Sequence, residues 1–542
     1  MGGRETGSLS NLLPGHREAA NAEHRDEVAE YWGVDSLPGN VGLSAVELFE
    51  GVRQGKIKAL WIACTNPAQS MEAFGTTETC HYADLLLPAA SWGEKAGSVT
   101  NSERRISRVR SAVPAPGEAR PDWAIVCDLA TRLEAQLRPG QPTLFDFDSP
   151  QSLFDEYRGL TAGRDLDYSA LSYALIDELG PQQWPFDAAT QTGAVRLYSD
   201  SQFPTDDGRA RFIAESYVPH KEQRDARFPL TLNTGRLRDQ WHGMSRTGTA
   251  AQLFGHVEQA QISLHPDELR SRRLVDGQLV QVKSRRGELI LPVLADEQIR
   301  PGQAYIPMHW GNRFLKGLGV NGLTQPLFDP LSKQPELKQA GINIKPVVFP
   351  WELFVLVEDD VQQRFTALRE HCEELAFASF SLAGRDRPAL LIRAAHRNAP
   401  DADWLAKLDS LLDLHSGPVL IYDDPRRAIG KRVRIEEGRI TAIRLTGETA
   451  ARDWLRAVWQ SGEADAALRR WFLAPLSAPP GGAAGCVDRT LCNCMNVSQS
   501  RIQAGIERGL DLQGLKTELG CGTECGSCVP EIRGLLNRAG AA

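Results

Sequence analysis

The sequence predicts an α/β and β multidomain chain that closes with a small helical metal-binding domain. Three observations carry that expectation. Short apolar runs interleave with helically spaced segments over the first 150 residues, alternating strand patterns take over from Phe228, and six of the ten cysteines crowd between Cys486 and Cys528. The 542 residues leave room for about three or four domains. With 42% hydrophobic and 24% charged residues, the composition is that of an ordinary globular protein. A net charge of -8 and a pI near 5.9 oppose a nucleic-acid footprint and an anionic membrane surface. No apolar run reaches the roughly 18 residues of a membrane span, and Met1-Gly-Gly-Arg-Glu-Thr-Gly lacks the apolar core of a signal peptide. The expected compartment is the reducing cytoplasm, where clustered cysteines bind metal more often than they pair.

Residues 1–225 read as α/β. Lys58-Ala-Leu-Trp-Ile-Ala-Cys64, closed by Thr65-Asn66-Pro67, and Tyr82-Ala-Asp-Leu-Leu-Leu-Pro88 have the look of buried strands. Pro121 to Leu133 has helical spacing. A further helix is expected from about Ser149 to Leu160, followed by loops. Residues 226–345 read as a β-barrel. Phe228–Asn233, Gln278–Ser284 and Glu288–Leu294 alternate, the last two as a hairpin around Arg285-Arg286-Gly287. Residues 346–475 form an α+β unit with strands at Phe354–Val357 and Val419–Tyr422 and a hairpin about Glu436-Glu437-Gly438. Residues 476–485, rich in Ala, Pro and Gly, are a linker, and 486–542 form the cysteine module.

Within that module, Cys492-Asn-Cys494 and Cys525-Gly-Ser-Cys528 are separated by 30 residues. Four thiolates from two turns select zinc or an iron–sulfur cluster, and a C-x-C half is unusual for structural zinc. Ile502, Ile506 and Leu510, then Leu512, Leu515 and Leu519, mark two helices, the first capped by Ser498 or Ser500. A third starts at Pro530 and buries Ile532, Leu535 and Leu536. Gly520, Gly522 and Gly526 let the backbone approach the sulfurs. Cys486 and Cys521 are left over, Cys521 as a spare thiol or alternative ligand. Cys64, Cys80, Cys127 and Cys372 are expected to be buried thiols.

The segment Thr490–Leu536 resembles the small [2Fe-2S] domain first known from bacterioferritin-associated ferredoxin. That resemblance implies Cys492, Cys494, Cys525 and Cys528 as cluster ligands. Upstream, Ser98-Val-Thr-Asn-Ser-Glu-Arg-Arg-Ile-Ser-Arg108, Leu232-Asn-Thr-Gly-Arg-Leu-Arg-Asp-Gln-Trp-His242, Pro307-Met-His-Trp-Gly311, Asn321-Gly-Leu-Thr324 and Asp329–Pro335 together resemble the molybdopterin oxidoreductase family. Its bacterial assimilatory nitrate reductases are the most similar branch. The resemblance implies a barrel of double-psi type and a bound molybdenum–molybdopterin guanine dinucleotide. Thr234, Gly235, Arg236, Gln240, Trp241, His242, His309, Trp310, Gly311 and Asn321 would contact it from the barrel, and Asn101, Glu103 and Arg104 from the α/β side. Read without the resemblance, Trp241 and Trp310 are as readily core aromatics, and the arginines at 104, 105, 108 and 110 a groove wall or a solvated face. Tyr422–Glu448 resembles a domain found beside such clusters in flavin-dependent nitrite reductases, which implies a docking or spacing role.

Two departures qualify the resemblance. The family's N-terminal [4Fe-4S] segment and the half supplying the molybdenum ligand are not matched, so the chain resembles the C-terminal part of such an enzyme, with a partial α/β parallel-sheet domain. No catalytic residue is assigned. Asn66–Ser70 also runs directly into Met71–Thr79, where the family would place a helix and a strand. A parallel sheet with such a gap exposes an edge. The expected function is reduction of nitrate to nitrite, with electrons entering through the [2Fe-2S] cluster from ferredoxin, flavodoxin or an NADH-linked flavoprotein. A non-catalytic electron-transfer fragment, or a formate dehydrogenase-like oxidoreductase, is the alternative.

Overall fold

A computed structural model describes residues 2–63, 79–80, 82–330, 332–358, 361–462, 466–479 and 488–540. Contacts divide the chain into two compact units, Met1–Ala59 with Ala83–Val218, and Leu60–Tyr82 with Pro219–Ala542.

The first unit is built from helices Ala22–Trp32, Ala45–Arg53, Asp122–Leu137, Pro150–Gly159 and Tyr173–Leu179. Their starts follow local chemistry. Ser44 and Glu47 form a reciprocal capping box, and Ser149 caps a helix whose first residue is Pro150. Its strands are β1 (Leu12–Leu13), β2 (Arg17–Glu18), β3 (Gly97–Thr100), β4 (Arg105–Val109), β5 (Gln182–Gln183), β6 (Phe186–Asp187) and β7 (Thr192–Gly193). They pair as β1-β2, β3-β4-β5 and β6-β7, antiparallel throughout. Ile106, Phe154, Leu166, Leu171 and Trp184 form the core.

Among the described residues the expected parallel sheet does not form. Residues 58–63 and 82–88 form no strand. Leu60, Trp61 and Ile62 are exposed, as are Leu85, Leu86 and Leu87. A strand exists only where a neighbour completes its ladder, and among the described residues neither run has one. An isolated parallel bridge, Ala89 to Arg120, adjoins the second. Cys64 and the Ser70–Met71 junction lie outside the described residues, as does Cys486. Cys80 is exposed and Cys127 half-buried, so among the described residues Cys372 alone of the expected buried thiols is fully enclosed.

In the second unit, β8 (Leu230–Gly235), β9 (Ile262–Leu264), β10 (Leu279–Lys283), β11 (Glu288–Ala295), β12 (Gln303–Pro307) and β13 (Ala340–Pro346) close a barrel in the order β10-β11-β9-β12-β8-β13. Alternation places Leu230, Leu232 and Thr234 of β8, and Val280 and Val282 of β10, inside. The expected hairpin closes with Lys283 opposite Glu288. Two pairs are parallel, β8 with β12 and β9 with β11.

A six-stranded antiparallel sheet follows. It contains β14 (Trp351–Val357), β15 (Phe377–Ala383), β16 (Ala389–His396), β17 (Val419–Asp424), β18 (Ile429–Glu436) and β19 (Arg439–Thr446), in the order β15-β16-β14-β19-β18-β17. Leu353, Val355 and Val357 of β14 share a core with helices Val361–His371 and Ala402–Leu411 and with the barrel. Phe354 and Leu356 point the other way, onto Trp454, Leu455, Val458 and Trp459 of helix Arg452–Ser461. A strand covered on both faces reads as a continuous apolar run.

The chain ends in β20 (Thr490–Cys492), β21 (Val497–Ser498) and helices Gln499–Glu507, Leu512–Leu519 and Val529–Arg538. Ser498 and Asp511 cap the first two, accepting from the N–H groups of Arg501 and Gly514. Leu491, Val497, Ile502, Leu515, Ile532 and Leu536 are buried together, each worth about 1.5–3 kcal/mol. No described helix of the chain is long and apolar enough to cross a membrane.

Candidate functional site

The parallel pairing of β8 with β12 sets Gly235 opposite Pro307. Both strands therefore end at the same mouth of the barrel, and the loops that follow them, residues 236–242 and 308–311, emerge side by side. His309 ties these loops together. Fully buried, it accepts the Leu237 N–H at Nε2, 2.7 Å away, and donates from Nδ1 to the His242 carbonyl at 2.6 Å. Both bonds require the neutral Nδ1–H tautomer. Burial, with the positive charges of Arg236 and Lys338 adding to it, depresses the imidazole pKa and preserves that tautomer. His242 takes a left-handed backbone, φ 41°.

Around this clamp the other expected barrel residues divide. Thr234 is buried and donates to the Leu337 carbonyl at 2.7 Å, while Lys338 donates to the Thr234 carbonyl at 3.0 Å. Gly235 lies against Tyr305, whose hydroxyl would sit 2.8 Å from an added Cβ. Arg236, Trp241 and His242 are exposed. Gln240 is buried, donates to the Leu253 carbonyl at 3.2 Å, and leaves its Oε1 without a hydrogen-bond partner. The Trp310 indole is a core aromatic, packed edge-on to Phe314, and its buried Nε1–H is also unpartnered. Gly311 and Asn321 sit in adjoining turns, where Gly319 approaches the Trp310 carbonyl and the Gly311 Cα. The mouth thus offers Arg236 and Lys338 for an anion and the orphaned Gln240 Oε1 for an amide-bearing base. That donor set fits a nucleotide-like pyrophosphate.

In the first unit, Asn101, Glu103 and Arg104 form the turn between β3 and β4. The Asn101 side-chain carbonyl accepts the N–H groups of Glu103 and Arg105 at 2.9 and 3.0 Å. Glu103 is exposed, and its carbonyl accepts from Gln183 at 2.9 Å. Arg104, at φ 66° and buried, donates to the carbonyls of Trp184, Ala194 and Val195. Its guanidinium is therefore committed to holding β4 against the 184–195 segment. Arg108 and Arg110 pair with Asp177, which makes this side a paired surface.

The four cysteines of the C-terminal module meet as two pairs, each drawing one thiol from either loop. Cys494 Sγ lies 3.1 Å from Cys525 Sγ, both exposed. Cys492 and Cys528, both buried free thiols, lie beside one another. Two thiol pairs suit two irons with two thiolates each. Burial, with Cys492 beside it, pushes the Cys528 thiol up to about 12, while the Ser527 hydroxyl holds Cys525 low. Cys521 is fully buried in the same core, its Sγ 3.5 Å from the Leu515 carbonyl. Positive φ at Gly520, Gly522 and Gly526 forms the turns around Cys521 and Cys525, and a Cβ on Gly522 would strike Val529 at 2.7 Å.

A polar clamp that sequence analysis did not anticipate seats this module on the barrel loop. Glu531, three residues past Cys528, meets His256 Nε2 at 2.9 Å, Arg489 at 2.5 Å and Arg238 at 3.4 Å. Asn493, between the first two cysteines, donates to Asp239 at 2.8 Å, and Thr490 donates its N–H to the Gly255 carbonyl at 3.0 Å. Arg238 and Glu531 stand 293 positions apart, so no local pattern announces their pairing. Burial opposes the Glu531 carboxylate, but the His256 hydrogen bond and the charges of His256, Arg489 and Arg238 outweigh it and hold its pKa down to about 2. A depressed folded-state pKa means that its stabilisation is complete above about pH 4.5 and fades as pH falls towards 2. Protection of the Thr490 amide against hydrogen exchange is expected to decline over that window, and Glu531→Gln to flatten the decline. An unchanged pH profile in the variant would contradict the assignment.

Family models match residues 3–132 (molybdopterin oxidoreductase), 230–341 (molydopterin dinucleotide binding domain) and 490–538 (BFD-like [2Fe-2S] binding domain). A nitrate reductase of Klebsiella oxytoca is 32% identical over 99% of this chain and 62% of its own length. The assimilatory nitrate reductase catalytic subunit of Bacillus subtilis is 33% identical over 64% of this chain and 50% of itself. The F420-dependent formate dehydrogenase subunit alpha of Methanocaldococcus jannaschii is 32% identical over 64% and 51%. The chain thus spans about half to 62% of the length of these relatives.

Proposed function

Because the chain belongs to the molybdopterin oxidoreductase family, we propose that it is the C-terminal portion of an assimilatory nitrate reductase, an oxidoreductase that converts nitrate, two electrons and two protons to nitrite and water. The observation that carries this is the seating of a four-cysteine module on the barrel loop 236–242, through Asn493 to Asp239 and Glu531 to Arg238. Electron-carrier thiols and dinucleotide-binding residues then share one seam, as electron delivery requires.

In this proposal Cys492, Cys494, Cys525 and Cys528 hold a [2Fe-2S] cluster. Thr234, Gly235, Arg236, Gln240, Trp241, His242, His309, Gly311 and Asn321 hold molybdopterin guanine dinucleotide, with residue 310 contributing through its backbone. Molybdenum on that cofactor supplies the two-electron oxygen-atom transfer when bound. The protein residues orient it: His309 fixes both loops at the barrel mouth, and Arg236 and Lys338 neutralise the pyrophosphate. The cluster receives electrons from a ferredoxin, a flavodoxin or an NADH-linked flavoprotein. Similarity to a formate dehydrogenase subunit over 64% of the chain favours formate oxidation as the second reading.

The test has two arms. Anaerobically purified protein should release guanosine monophosphate on mild acid hydrolysis, and the chain alone, given a reduced viologen, should not turn over nitrate. Absence of the nucleotide would defeat the cofactor assignment. Robust nitrate reduction by the isolated chain would defeat its description as a portion, and formate oxidation in its place would select the second reading.

A further inference from the structure

The clamp contains one cation from the barrel that reaches the cysteine loops. Arg238 lies between β8 and the loop 239–242, with 16% of its side chain exposed. Its Nε and Nη2 bind both oxygens of Asp239 at 3.0 and 2.7 Å, and its Nη1 faces Glu531 at 3.4 Å. Both partners lead to the cysteines. Asp239 accepts from Asn493, between Cys492 and Cys494, and Glu531 sits in the first turn of the helix that Cys528 caps. The guanidinium is therefore one carboxylate away from each cysteine loop, through Asp239 to Asn493 and through Glu531 to the helix that follows Cys528.

A cluster gains one negative charge on reduction, and its potential follows net charge, hydrogen bonding and solvent exposure. A half-buried cation nearby stabilises the reduced form more than an exposed one would, because the local dielectric is low. We propose that Arg238 of the barrel raises the reduction potential of the cluster held by Cys492, Cys494, Cys525 and Cys528, so that docking of the cysteine module onto the barrel sets its potential. This rests on the cluster assignment made above. Detached from the barrel, the module loses this cation and becomes harder to reduce. Seated, it accepts electrons more readily from a donor of moderate potential.

Redox titration of the full chain, followed by the EPR signal of the reduced cluster, tests the proposal. Arg238→Gln should move the midpoint to more negative potential, Arg238→Lys should restore most of it, and Glu531→Gln should move it the opposite way, to more positive potential. Opposite signs separate an electrostatic role from loosening of the seam, which would move both variants in the same direction. An Arg238→Gln midpoint equal to that of the unaltered chain, or shifts of one sign in R238Q and E531Q, would overturn it. If R238Q holds no iron, E531Q decides: a positive displacement upholds the proposal and none overturns it. An unaltered chain with no [2Fe-2S] signal would overturn the function proposed above, and this inference with it.

Discussion

Cys492→Ser or Cys528→Ser should reduce iron from two atoms per chain to near none and abolish the low-temperature EPR signal of the reduced cluster. Both thiols are buried at 2% exposure, in one core with Leu491, Val497, Ile502 and Ile532. A serine there supplies a hydroxyl that does not ionise as a thiol does, and hard oxygen competes poorly for iron in a sulfur site. The change also places an unpartnered polar atom in the apolar core, costing about 1–3 kcal/mol. The exposed pair, Cys494 and Cys525, tolerates serine better sterically, so those variants should retain an altered signal or none. Cys521→Ser is the control. Its sulfur faces the Leu515 carbonyl, so iron content should persist with some loss of stability. Full iron in C492S or C528S would refute the ligand assignment, as would iron-free, zinc-loaded protein after anaerobic purification.

Asp409→Ala should destabilise the α+β domain by about 3–5 kcal/mol, the usual consequence of leaving a buried charge unpaired. Arg432 of β18 and Arg444 of β19 stand directly opposite one another in the ladder, an arrangement that like charges oppose. Asp409, in the last turn of helix Ala402–Leu411, resolves it. Its Oδ2 accepts from Arg444 at 2.9 Å and lies 3.5 Å from Arg432. The Arg444 side chain is 1% exposed, so water cannot replace the carboxylate. Burial disfavours the charge on this guanidinium, and Asp409 is the leading compensation. Asp409→Asn keeps an acceptor but not the charge and should fall between the two. Denaturant unfolding, read with hydrogen exchange in β18 and β19, checks the order. A loss below about 1 kcal/mol for D409A, the scale of a surface pair, would show that water reaches the pair.

The elements that were legible from the sequence are those whose burial repeats locally. Alternation located β8, β10 and β11 and the hairpins at 285–287 and 436–438, and four-residue spacing with Ser498 located the helices after Cys494. The four thiols were legible because soft ligands in two short turns have few other uses. Two expected strands of the N-terminal region failed for a non-local reason, although its helices at Asp122–Leu137 and Pro150–Gly159 formed as their spacing indicates. Lys58–Ile62 and Tyr82–Leu87 carry strand-like composition, but a ladder needs a neighbour that composition does not supply. Spacing also could not distinguish Trp241, which is exposed, from Trp310, which is buried in the core.

By itself, then, the sequence determined the strand and helix periods, the caps and the two short cysteine turns, because each depends on residues within a few positions of one another. Tertiary structure alone decided that Gly235 and Pro307 share one barrel mouth, that Arg104 is consumed by carbonyls, and that Arg238 meets Glu531 across 293 positions. These depend on which strand pairs with which, and on which charges are left to find each other once apolar surfaces have packed. Burial strengthens such pairings only after the fold has formed, so no local pattern in the chain records them.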